Sequence, residues 1–502
     1  MDLFIQGLSN ILTIQVIAIL LLGSAVGISI GSLPGLTATM GVALILPITF
    51  GMEAVTGILL LVGVYFGAIY GGSITAILLR TPGTPASAAT AIEGYALSQK
   101  GYAHKALTVA TLSSVTGGIL SVLVLILIAP KLASFALQFS APESFALAFF
   151  GLSIISSISG NSLIKGLISG FVGLLIATIG LDPMGGFPRF TFDSLNLMNG
   201  VNFIPVMIGL FAAATALESL EDLFSASTKK VNDTLKKVKL KWVEFRALTV
   251  TILRSSAIGT GIGMIPGAGG DIAAFVAYNE AKRFAKKTDQ FGEGEIKGIA
   301  APEAANNGST GGAMIPLLTL GIPGDAVTAV MLGALMVQGL QPGPLLFDTN
   351  AELVYTLFVG MLAANLIILL YGMLGIRLFT KVLLVPKAFL APIILVLCVI
   401  GSYSLNNSYF DVWVMLVSGI IGYIMLRYGF PASPVILALI LGPMMEANFR
   451  RALVMSEGSY SVFFSRPISA TLIILGLFTL LTPLIKSWYQ SRRIDNKQSL
   501  DL

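Results

Sequence analysis

The stretch Gly71-Gly-Ser-Ile-Thr-Ala-Ile-Leu-Leu-Arg-Thr-Pro-Gly83 carries the main structural signal of the chain, because it ends a long apolar run with a Pro-Gly pair. Proline lacks the N–H that a helix uses and glycine permits a turn, so backbone groups at the break lose their partners within the helix. In hydrocarbon such groups are costly unless they are buried in protein or face a watery cavity. The stretch therefore predicts a broken helix that lines a binding site inside a membrane protein.

The composition of the whole chain agrees with a membrane location. Of 502 residues, 55% are hydrophobic and 11% are charged, whereas soluble proteins carry about 25% charged residues. Glycine is abundant, as in helices that pack closely in lipid. At about 20 residues per span, the chain has room for about 10–12 membrane crossings. We predict an all-α polytopic membrane protein.

The scarce residues exclude several kinds of chemistry. His104 is the only histidine and Cys398 the only cysteine, so disulfides, Cys/His zinc sites and histidine-dependent triads are excluded or nearly so. No Gly-rich phosphate loop with Gly-Lys-Ser/Thr occurs. The net charge of +5 comes from bases in short loops, a pattern typical of membrane orientation and not of nucleic-acid binding. We therefore predict a protein that is not an enzyme and needs no cofactor or bound metal.

Similar strings recur in the second part of the chain. Gly31-Ser-Leu-Pro-Gly35 resembles Gly263-Met-Ile-Pro-Gly267, and the opening stretch resembles Gly311-Gly-Ala-Met-Ile-Pro-Leu-Leu-Thr-Leu-Gly-Ile-Pro-Gly324 when Gly71 is aligned with Gly311. An internal duplication produces such a pattern. The predicted organisation is a first membrane repeat (1–224), a basic cytoplasmic linker (225–246), a second repeat with an extra C-terminal helix (247–488) and a cytoplasmic tail (489–502).

The loop charges indicate that the repeats are inverted. Lys and Arg concentrate in cytoplasmic loops, so corresponding loops should carry opposite charge patterns in an inverted repeat. The nearly uncharged loop at Gly51 corresponds to the Lys286 loop, and the loop with Lys100 and Lys105 corresponds to the base-free loop at Gly343. We predict an N-terminus outside the cell and a central linker inside it.

Inverted-repeat carriers bind substrate where broken helices meet near the membrane midplane. We predict re-entrant helix hairpins at four breaks, around residues 32–35, 81–85, 265–270 and 321–325. Half-helix N-termini there would point N–H groups at a bound anion. Glycine permits the positive-φ backbone that a tight tip requires, which applies to Gly83 and Gly324. The alternative is a structural kink in which hydroxyls satisfy the backbone. The predicted substrate-binding residues are Ser32, Pro34, Gly35, Thr37, Ser73, Thr75, Thr81, Pro82, Gly83, Thr84, Pro266, Gly267, Gly269, Gly270, Asn306, Asn307, Pro323 and Gly324.

Three acidic residues in apolar surroundings are candidates for ion coupling. Asp271 and Asp325 follow two of the breaks, and Glu303 belongs to a polar patch with Asn306 and Asn307. Ionisable residues at membrane depth are expensive and mark ion or substrate pathways. Oxygen ligands would suit Na+ and a carboxyl group would suit a proton, and the sequence leaves that choice open. For each aspartate the alternative is helix capping.

Several of these strings resemble the large membrane subunit of the tripartite tricarboxylate transporter family, the TctA type. They are Pro34-Gly-Leu-Thr37, the segment from Tyr70 to Ala86, Ala301-Pro-Glu-Ala-Ala-Asn-Asn307 and the segment from Leu320 to Pro344. The resemblance implies a carrier of the bacterial inner membrane that works with a small membrane subunit and a periplasmic solute-binding protein. It implies uptake of carboxylates, classically citrate, driven by an ion gradient.

The chain departs from that family's pattern in its charges. Asparagine is common where this chain has Arg80, and small uncharged residues often stand where it has Asp271 and Asp325. The resemblance therefore implies an organic anion whose identity is open. We predict the large permease subunit of a tripartite, ion-gradient-driven carrier; the alternatives are a stand-alone ion-coupled carrier or a channel.

Overall fold

The computed structural model describes residues 2–33, 36–153, 155, 162–182, 184–222, 240–286, 288–375, 379 and 387–481. The predicted site residues Pro34 and Gly35, most of the predicted linker (225–239) and the predicted tail (489–502) lie outside the described residues. The described part is largely helical, and its two strands have two residues each. This confirms the all-α class.

The chain divides into two compact units. Unit 1 contains residues 1–137 and 207–423, and unit 2 contains residues 138–206 and 424–502. This division differs from the predicted boundary at 225–246, which concerns the repeats, and the bounds of the repeats stay a prediction.

The helices and strands follow in chain order. The first segment of unit 1 contains α1 (Asp2–Ile11), α2 (Ile14–Gly31), α3 (Ala38–Ile45), α4 (Ala54–Leu79), α5 (Ala88–Leu97) and α6 (Ala103–Ala136), with short turns of 3-10 helix at Leu46–Thr49 and Pro85–Ser87. The next segment contains α7 (Ala141–Ser153), α8 (Leu163–Ala177), β1 (Gly180–Leu181), β2 (Pro188–Arg189), α9 (Leu195–Met198) and α10 (Phe203–Met207).

The second segment of unit 1 contains α11 (Ala214–Asp222), α12 (Trp242–Gly263), α13 (Gly269–Arg283), α14 (Lys297–Leu320), α15 (Ala326–Val337), α16 (Leu346–Thr349), α17 (Ala351–Leu374), α18 (Lys387–Asn406) and α19 (Tyr409–Arg427). Unit 2 ends with α20 (Ser433–Met455), α21 (Val462–Ser465) and α22 (Pro467–Leu481).

Six helical segments of the described residues are long and apolar enough to cross a membrane, and five shorter apolar helices accompany them. The long segments include α2, α4 and α17. The protein is therefore a multi-pass membrane protein. The predicted total of about 10–12 crossings stays a prediction.

α4 and α14 form the buried centre of unit 1. Every residue from Thr56 to Ile77 in α4 and from Gly298 to Thr319 in α14 is buried. Glycine makes this close packing possible, because an added Cβ at Gly27 or Gly31 would overlap the backbone of α4. Small residues that let backbones approach are the usual means of helix packing in membranes.

The same packing recurs between α12 and α14. Gly27 of α2 contacts Val64 of α4, and Gly259 of α12 contacts Ala305 of α14. Similarly, Gly31 contacts Ala68, and Gly263 contacts Ser309. In every such pair the α14 residue lies 241 positions after its α4 counterpart. This recurrence supports the predicted duplication.

The contacts correct one detail of the predicted alignment. We call residues 1–137 the first half of unit 1 and residues 207–423 its second half. Gly71 in the first half packs on Ile28, and the matching contact in the second half is that of Gly312 on Thr260. Gly71 therefore corresponds to Gly312, and the alignment with Gly311 was wrong by one residue. Two adjacent glycines fit either register in the sequence, whereas the backbone contact allows only one.

The loops predicted to be cytoplasmic lie together. Lys105 at the start of α6 forms an ion pair of 2.7 Å with Glu244 at the start of α12. Glu93 near the end of α5 accepts a hydrogen bond of 2.8 Å from the N–H of Gly294, in the loop before α14. Three basic loops that were assigned to one side of the membrane thus contact one another.

The loops predicted to be outside also contact one another. The side-chain amide of Asn10 donates to Glu352 at 3.0 Å. The side-chain amide of Gln338 donates to the carbonyl oxygen of Thr49 at 2.9 Å. An inverted repeat requires this grouping into two sets. The orientation of each set in the membrane stays a prediction.

Unit 2 combines apolar helix packing with a charged hairpin. Helices α7 and α8 pack on α20. The hairpin formed by β1 and β2 carries Asp182 and Arg189. Arg189 bonds to Glu446 of α20 at 2.7 Å, and Asp182 bonds to Arg450 at 2.7 Å. These pairs join the hairpin to α20.

Candidate functional site

All four predicted breaks are present as interruptions of helices in unit 1. α2 ends at Gly31, α4 at Leu79, α12 at Gly263 and α14 at Leu320, and each is followed by a short connection to the next helix. The predicted re-entry of these segments into the membrane stays a prediction.

The expected positive φ at Gly83 and Gly324 is wrong. Positive φ occurs earlier in each break, at Arg80 (φ 56°) and Gly321 (φ 68°), which are the C-cap residues of α4 and α14. Gly83 is needed for another reason, because an added Cβ would overlap the carbonyl oxygen of Gly31. At Gly324 an added Cβ would lie 2.6 Å from the Cα of Ala313. Close backbone contact therefore explains both glycines.

The first-half breaks contact each other. The N–H of Gly83, beside Pro82, donates to the carbonyl oxygen of Gly72 at 3.4 Å, while Gly83 also lies against Gly31 at the end of α2. The end of α2 and the α4 break therefore lie against each other.

Most hydroxyls of the first half bond to the backbone of their own segment. Ser32 donates to Ile28 O at 2.6 Å, Ser73 to Tyr70 O at 2.8 Å, Thr75 to Gly72 O at 3.3 Å and Thr81 to Leu79 O at 3.3 Å. Thr37 accepts from the N–H of Met40 and caps α3. This is the geometry of the kink alternative. Substrate contact by these five residues stays a prediction.

The second-half breaks also contact each other. The N–H of Gly267, after Pro266, donates to the carbonyl oxygen of Gly324, after Pro323, at 2.7 Å. Gly267 has a φ of 80° and Gly269 a φ of 63°, so this tip does use the backbone freedom of glycine. The Pro-Gly strings of the second half therefore form a single junction.

Asp325 caps α15 and reaches into the first half. Its Oδ1 accepts the N–H of Thr328 at 2.7 Å, which is the capping alternative for this residue. Its Oδ2 accepts the hydroxyl of Tyr65, on α4, at 2.8 Å. The carboxylate therefore joins the two halves of unit 1. Its role in ion coupling stays a prediction.

Asp271 does not cap a helix. It is the third residue of α13, whose N-cap is Ala268 and whose start has no side-chain cap. Ala274, three residues further along α13, packs in one cluster with Ala86 and Ala89 of the first half. Both predicted aspartates thus lie where the two halves meet.

Asn306 lies beneath the first turn of α13. An added Cβ at Gly270 would lie 2.5 Å from Asn306 Oδ1 and 2.9 Å from Ser309 Oγ. Asn306 is completely buried, and neither its Oδ1 nor its Nδ2 has a hydrogen-bond partner among the residues that the structure describes. Buried amides are usually paired, so this one indicates a ligand position.

Glu303 lies one helical turn from Asn307 and is completely buried. Its carboxylate accepts the hydroxyl of Thr90 at 2.6 Å and that of Ser114 at 2.7 Å, both in the first half. The Asn307 amide donates to the backbone carbonyl of Glu303 at 3.1 Å. In the described part of the chain, neither Glu303, Asp271 nor Asp325 forms an ion pair with a basic side chain.

Sequence reasoning missed Tyr65, Thr90 and Ser114. Each is a polar residue in an apolar helix, which is a usable signal, but such residues are frequent in this chain. It also missed Glu93, a completely buried carboxylate in α5. The sequence signal for Glu93 is that it is the one charged residue of an otherwise uncharged helix.

A separate cavity lies away from these breaks. It has a volume of about 570 Å³ and is lined by Asn10, Glu53, Asn350, Glu352 and neighbouring residues. The two glutamates are its charged lining residues, and none of the predicted site residues lines it. The unpartnered buried amide of Asn306 lies at the breaks and not in this cavity, so we place the candidate site at the breaks.

The fold and the site define a multi-pass membrane protein with buried polar groups where broken helices meet, the architecture of many secondary transporters. The chain belongs to the tripartite tricarboxylate transporter TctA family, whose sequence pattern matches residues 17–437. The resemblance noted from the motifs is thereby confirmed. Family membership makes this chain the membrane subunit of a transporter of that family.

Two relatives from Agrobacterium vitis are similar to the chain. One, described as "Uncharacterized 52.8 kDa protein in TAR-I ttuC' 3'region", is 40% identical over 468 residues, which cover 93% of this chain and 92% of the relative. The other, "Uncharacterized protein in TAR-II ttuC' 3'region", is 39% identical over 229 residues, covering 46% of this chain and 95% of the relative. No solved structure matches the chain.

Proposed function

We propose that this chain is the large permease subunit of a tripartite secondary transporter in a bacterial inner membrane. It imports a carboxylate or a similar organic anion that a periplasmic binding protein delivers, and it works with a small membrane subunit. A gradient of Na+ or H+ drives the uptake. The family supports the class of protein, and the acidic groups between the two halves support the coupling.

The observation that carries the coupling is the environment of Glu303. A fully buried carboxylate with two neutral hydroxyl partners is costly as an anion, because nothing compensates its charge. When Glu303 is buried between the helices, its carboxylate therefore carries a proton or binds a cation. Since its partners Thr90 and Ser114 belong to the other half, a change in its charge alters the contact between the halves.

The experiment is uptake into proteoliposomes that contain this chain, its small membrane subunit and its periplasmic binding protein. Radiolabelled citrate and succinate are the probes, and Na+ and pH gradients are imposed separately. We expect Glu303→Gln to abolish gradient-driven accumulation while the protein stays inserted and folded. Glu293→Gln, at an exposed loop position, is the matched control. Unchanged accumulation in Glu303→Gln, with the same response to both gradients, would overturn the role of Glu303.

The partners are tested in the same vesicles. Specificity is expected to reside largely in the binding protein, so its omission should reduce the rate and the selectivity strongly. Full rate and full selectivity from this chain alone would overturn the tripartite proposal and favour a stand-alone carrier. Flux that never exceeds equilibrium under an imposed gradient would favour a channel.

A further inference from the structure

The two halves of unit 1 build their second breaks in the same way. The N–H of Thr84 donates to the hydroxyl of Ser87 at 3.3 Å, and that hydroxyl donates to Thr84 O at 2.7 Å. The N–H of Asp325 donates to the hydroxyl of Thr328 at 2.8 Å, and that hydroxyl donates to Asp325 O at 2.9 Å. Thr84 and Asp325 are therefore corresponding residues, 241 positions apart, the same separation as in the helix contacts.

The corresponding residues differ in what they bind. Tyr65, on α4, donates to Asp325. The counterpart of Tyr65 at the same separation is Asn306, on α14, and the counterpart of Asp325 is Thr84. Three buried atoms, Asn306 Oδ1, Asn306 Nδ2 and Thr84 Oγ1, have no hydrogen-bond partner in the described part of the chain. One of two equivalent positions is thus closed by an internal hydrogen bond, and the other has unused polar atoms.

The position with unused atoms also has a free helix start. The first turn of α13 lies on Asn306 and Ser309 through Gly270, and α13 has no side-chain cap. In contrast, α3, which follows the matching break of the first half, is capped by Thr37. The N–H groups of an uncapped helix start bind anions. The unpartnered amide of Asn306 is an independent indication of a ligand at that helix start.

We propose that the transported anion binds at one of the two equivalent positions only, against Asn306, Thr84 and the first turn of α13, and that the Tyr65–Asp325 bond closes the other. The inference rests on the proposed function, and it gives the transporter one anion-binding site per chain. The ligand is a carboxylate, and the hydrogen-bond donors that bind it are all uncharged. They are the amide of Asn306, the hydroxyl of Thr84 and the backbone N–H groups of the first turn of α13. Asp271 lies in the same turn, and a Cβ added at Gly269 in that turn would lie 3.9 Å from the Cβ of Asp325. Both carboxylates oppose an anion, so we expect bound cation to raise the affinity for the anion.

The test compares matched variants of the full chain in the reconstituted three-component system, with citrate and succinate as probes. Asn306→Asp keeps the size of the side chain and replaces a donor with a negative charge, and Thr84→Val keeps the shape and removes the hydroxyl. We expect each to raise the half-saturating anion concentration at least about ten-fold. Thr116→Val, which removes a half-buried hydroxyl that donates to Leu112 O within α6, is the control and should change it by less than about two-fold. Tyr65→Phe, which removes the closing hydroxyl, is compared with these variants.

Thermal unfolding of each purified variant shows whether the fold is retained, and equilibrium dialysis with labelled citrate in nanodiscs counts the sites. One site per wild-type chain, lost in folded Asn306→Asp, supports the inference. Two sites per wild-type chain would overturn it. So would a normal half-saturating anion concentration in both Asn306→Asp and Thr84→Val together with loss of anion binding in Tyr65→Phe. If the wild type takes up neither probe, the proposed function itself is overturned. If the wild type transports and the variants have the same half-saturating concentration as the wild type, this inference alone is overturned.

Discussion

The hydroxyl of Tyr278 donates to Oε1 of Glu93 at 2.9 Å, and this bond joins α13 of one half to α5 of the other. The same carboxylate accepts the backbone N–H groups of Gly292, Gly294 and Glu295. Glu93 is completely buried. A buried carboxylate that receives four donors is held by charge-assisted bonds, so it fixes the loop before α14 against α5.

Replacement of Glu93 by Gln should release that loop. The amide presents N–H groups where the carboxylate accepted, so at least one backbone donor is left unpaired in a buried place. We expect a loss of about 1–3 kcal/mol in the stability of this region. Hydrogen exchange of residues 288–296 is the measurement, and Tyr278→Phe, which removes a single donor, should have a smaller effect. Equal protection of the loop in Glu93→Gln and wild type would contradict the role of Glu93.

Even a methyl group at Gly83 should disturb the site. An added Cβ would overlap Gly31 O and would lie 2.9 Å from Thr75 Oγ1. Gly83→Ala should therefore lower the stability by about 1–3 kcal/mol through overpacking and should reduce uptake. Gly261→Ala is the control, because nothing lies within 4 Å of its added Cβ. Thermal unfolding in detergent compares them, and equal unfolding temperatures would refute the close contact.

The backbone at Arg80 should carry strain that its counterpart Gly321 avoids. Arg80 has a φ of 56° and its guanidinium lies 5.8 Å from the centre of the Tyr95 ring. Arg80→Gly and Arg80→Ala both lose that ring contact, but only glycine adopts this backbone without cost. We expect Arg80→Gly to be more stable than Arg80→Ala by about 1 kcal/mol. The pair is compared by denaturant or thermal unfolding, and the reverse order would show that the strain is absent.

The hairpin of unit 2 should lose stability in acid through Asp182. Hydrogen bonds from the N–H groups of Gly185 and Met184, and then from Arg450, lower the pKa of Asp182 from 3.8 to about 2. A lowered folded-state pKa means that this stabilisation is complete above about pH 4 and is lost as the pH falls through about 2. The difference between wild type and Asp182→Asn in hydrogen exchange of residues 180–200 should shrink over that interval. A difference that is constant with pH would exclude the linkage.

The grouping of loops predicts opposite locations for two reporters. A reporter inserted at Gly51 should lie outside the cell and one inserted at Lys286 should lie in the cytoplasm, since Lys and Arg favour the cytoplasmic side. A second outer reporter at Gly343 should agree with the one at Gly51, because Gln338 contacts Thr49. Paired alkaline phosphatase and green fluorescent protein fusions give the locations. The same side for Gly51 and Lys286 would contradict the inverted repeat.

Much of the architecture was predictable because it depends on local chemistry. An apolar run of sufficient length specifies a membrane helix, and Pro266 or Pro323 followed by glycine specifies its interruption, whatever the rest of the chain does. The breaks therefore occur where the residues predict them. The polar patch around Asn306 was predictable for the same reason, since polar groups in an apolar helix need a partner or a ligand.

The partners of those groups could not be predicted. Tyr65 and Asp325 lie 260 positions apart, and their bond exists because α4 and the start of α15 come together in space. The correspondence of Gly71 with Gly312, and the positive φ at Arg80 in place of Gly83, likewise depend on backbone contacts between helices.

The sequence alone thus established the class of protein, the positions of the breaks and the residues able to bind a ligand, because hydrophobicity and the properties of proline and glycine act locally. Tertiary structure alone decided which of two duplicated positions is closed. Tyr65 finds an acceptor in Asp325, whereas the side chains of Asn306 and Thr84 have no hydrogen-bond partner among residues 2–33, 36–153 and the other described ranges. Hydrogen bonds require atoms within a few ångströms, and only the packing of distant helices sets those distances.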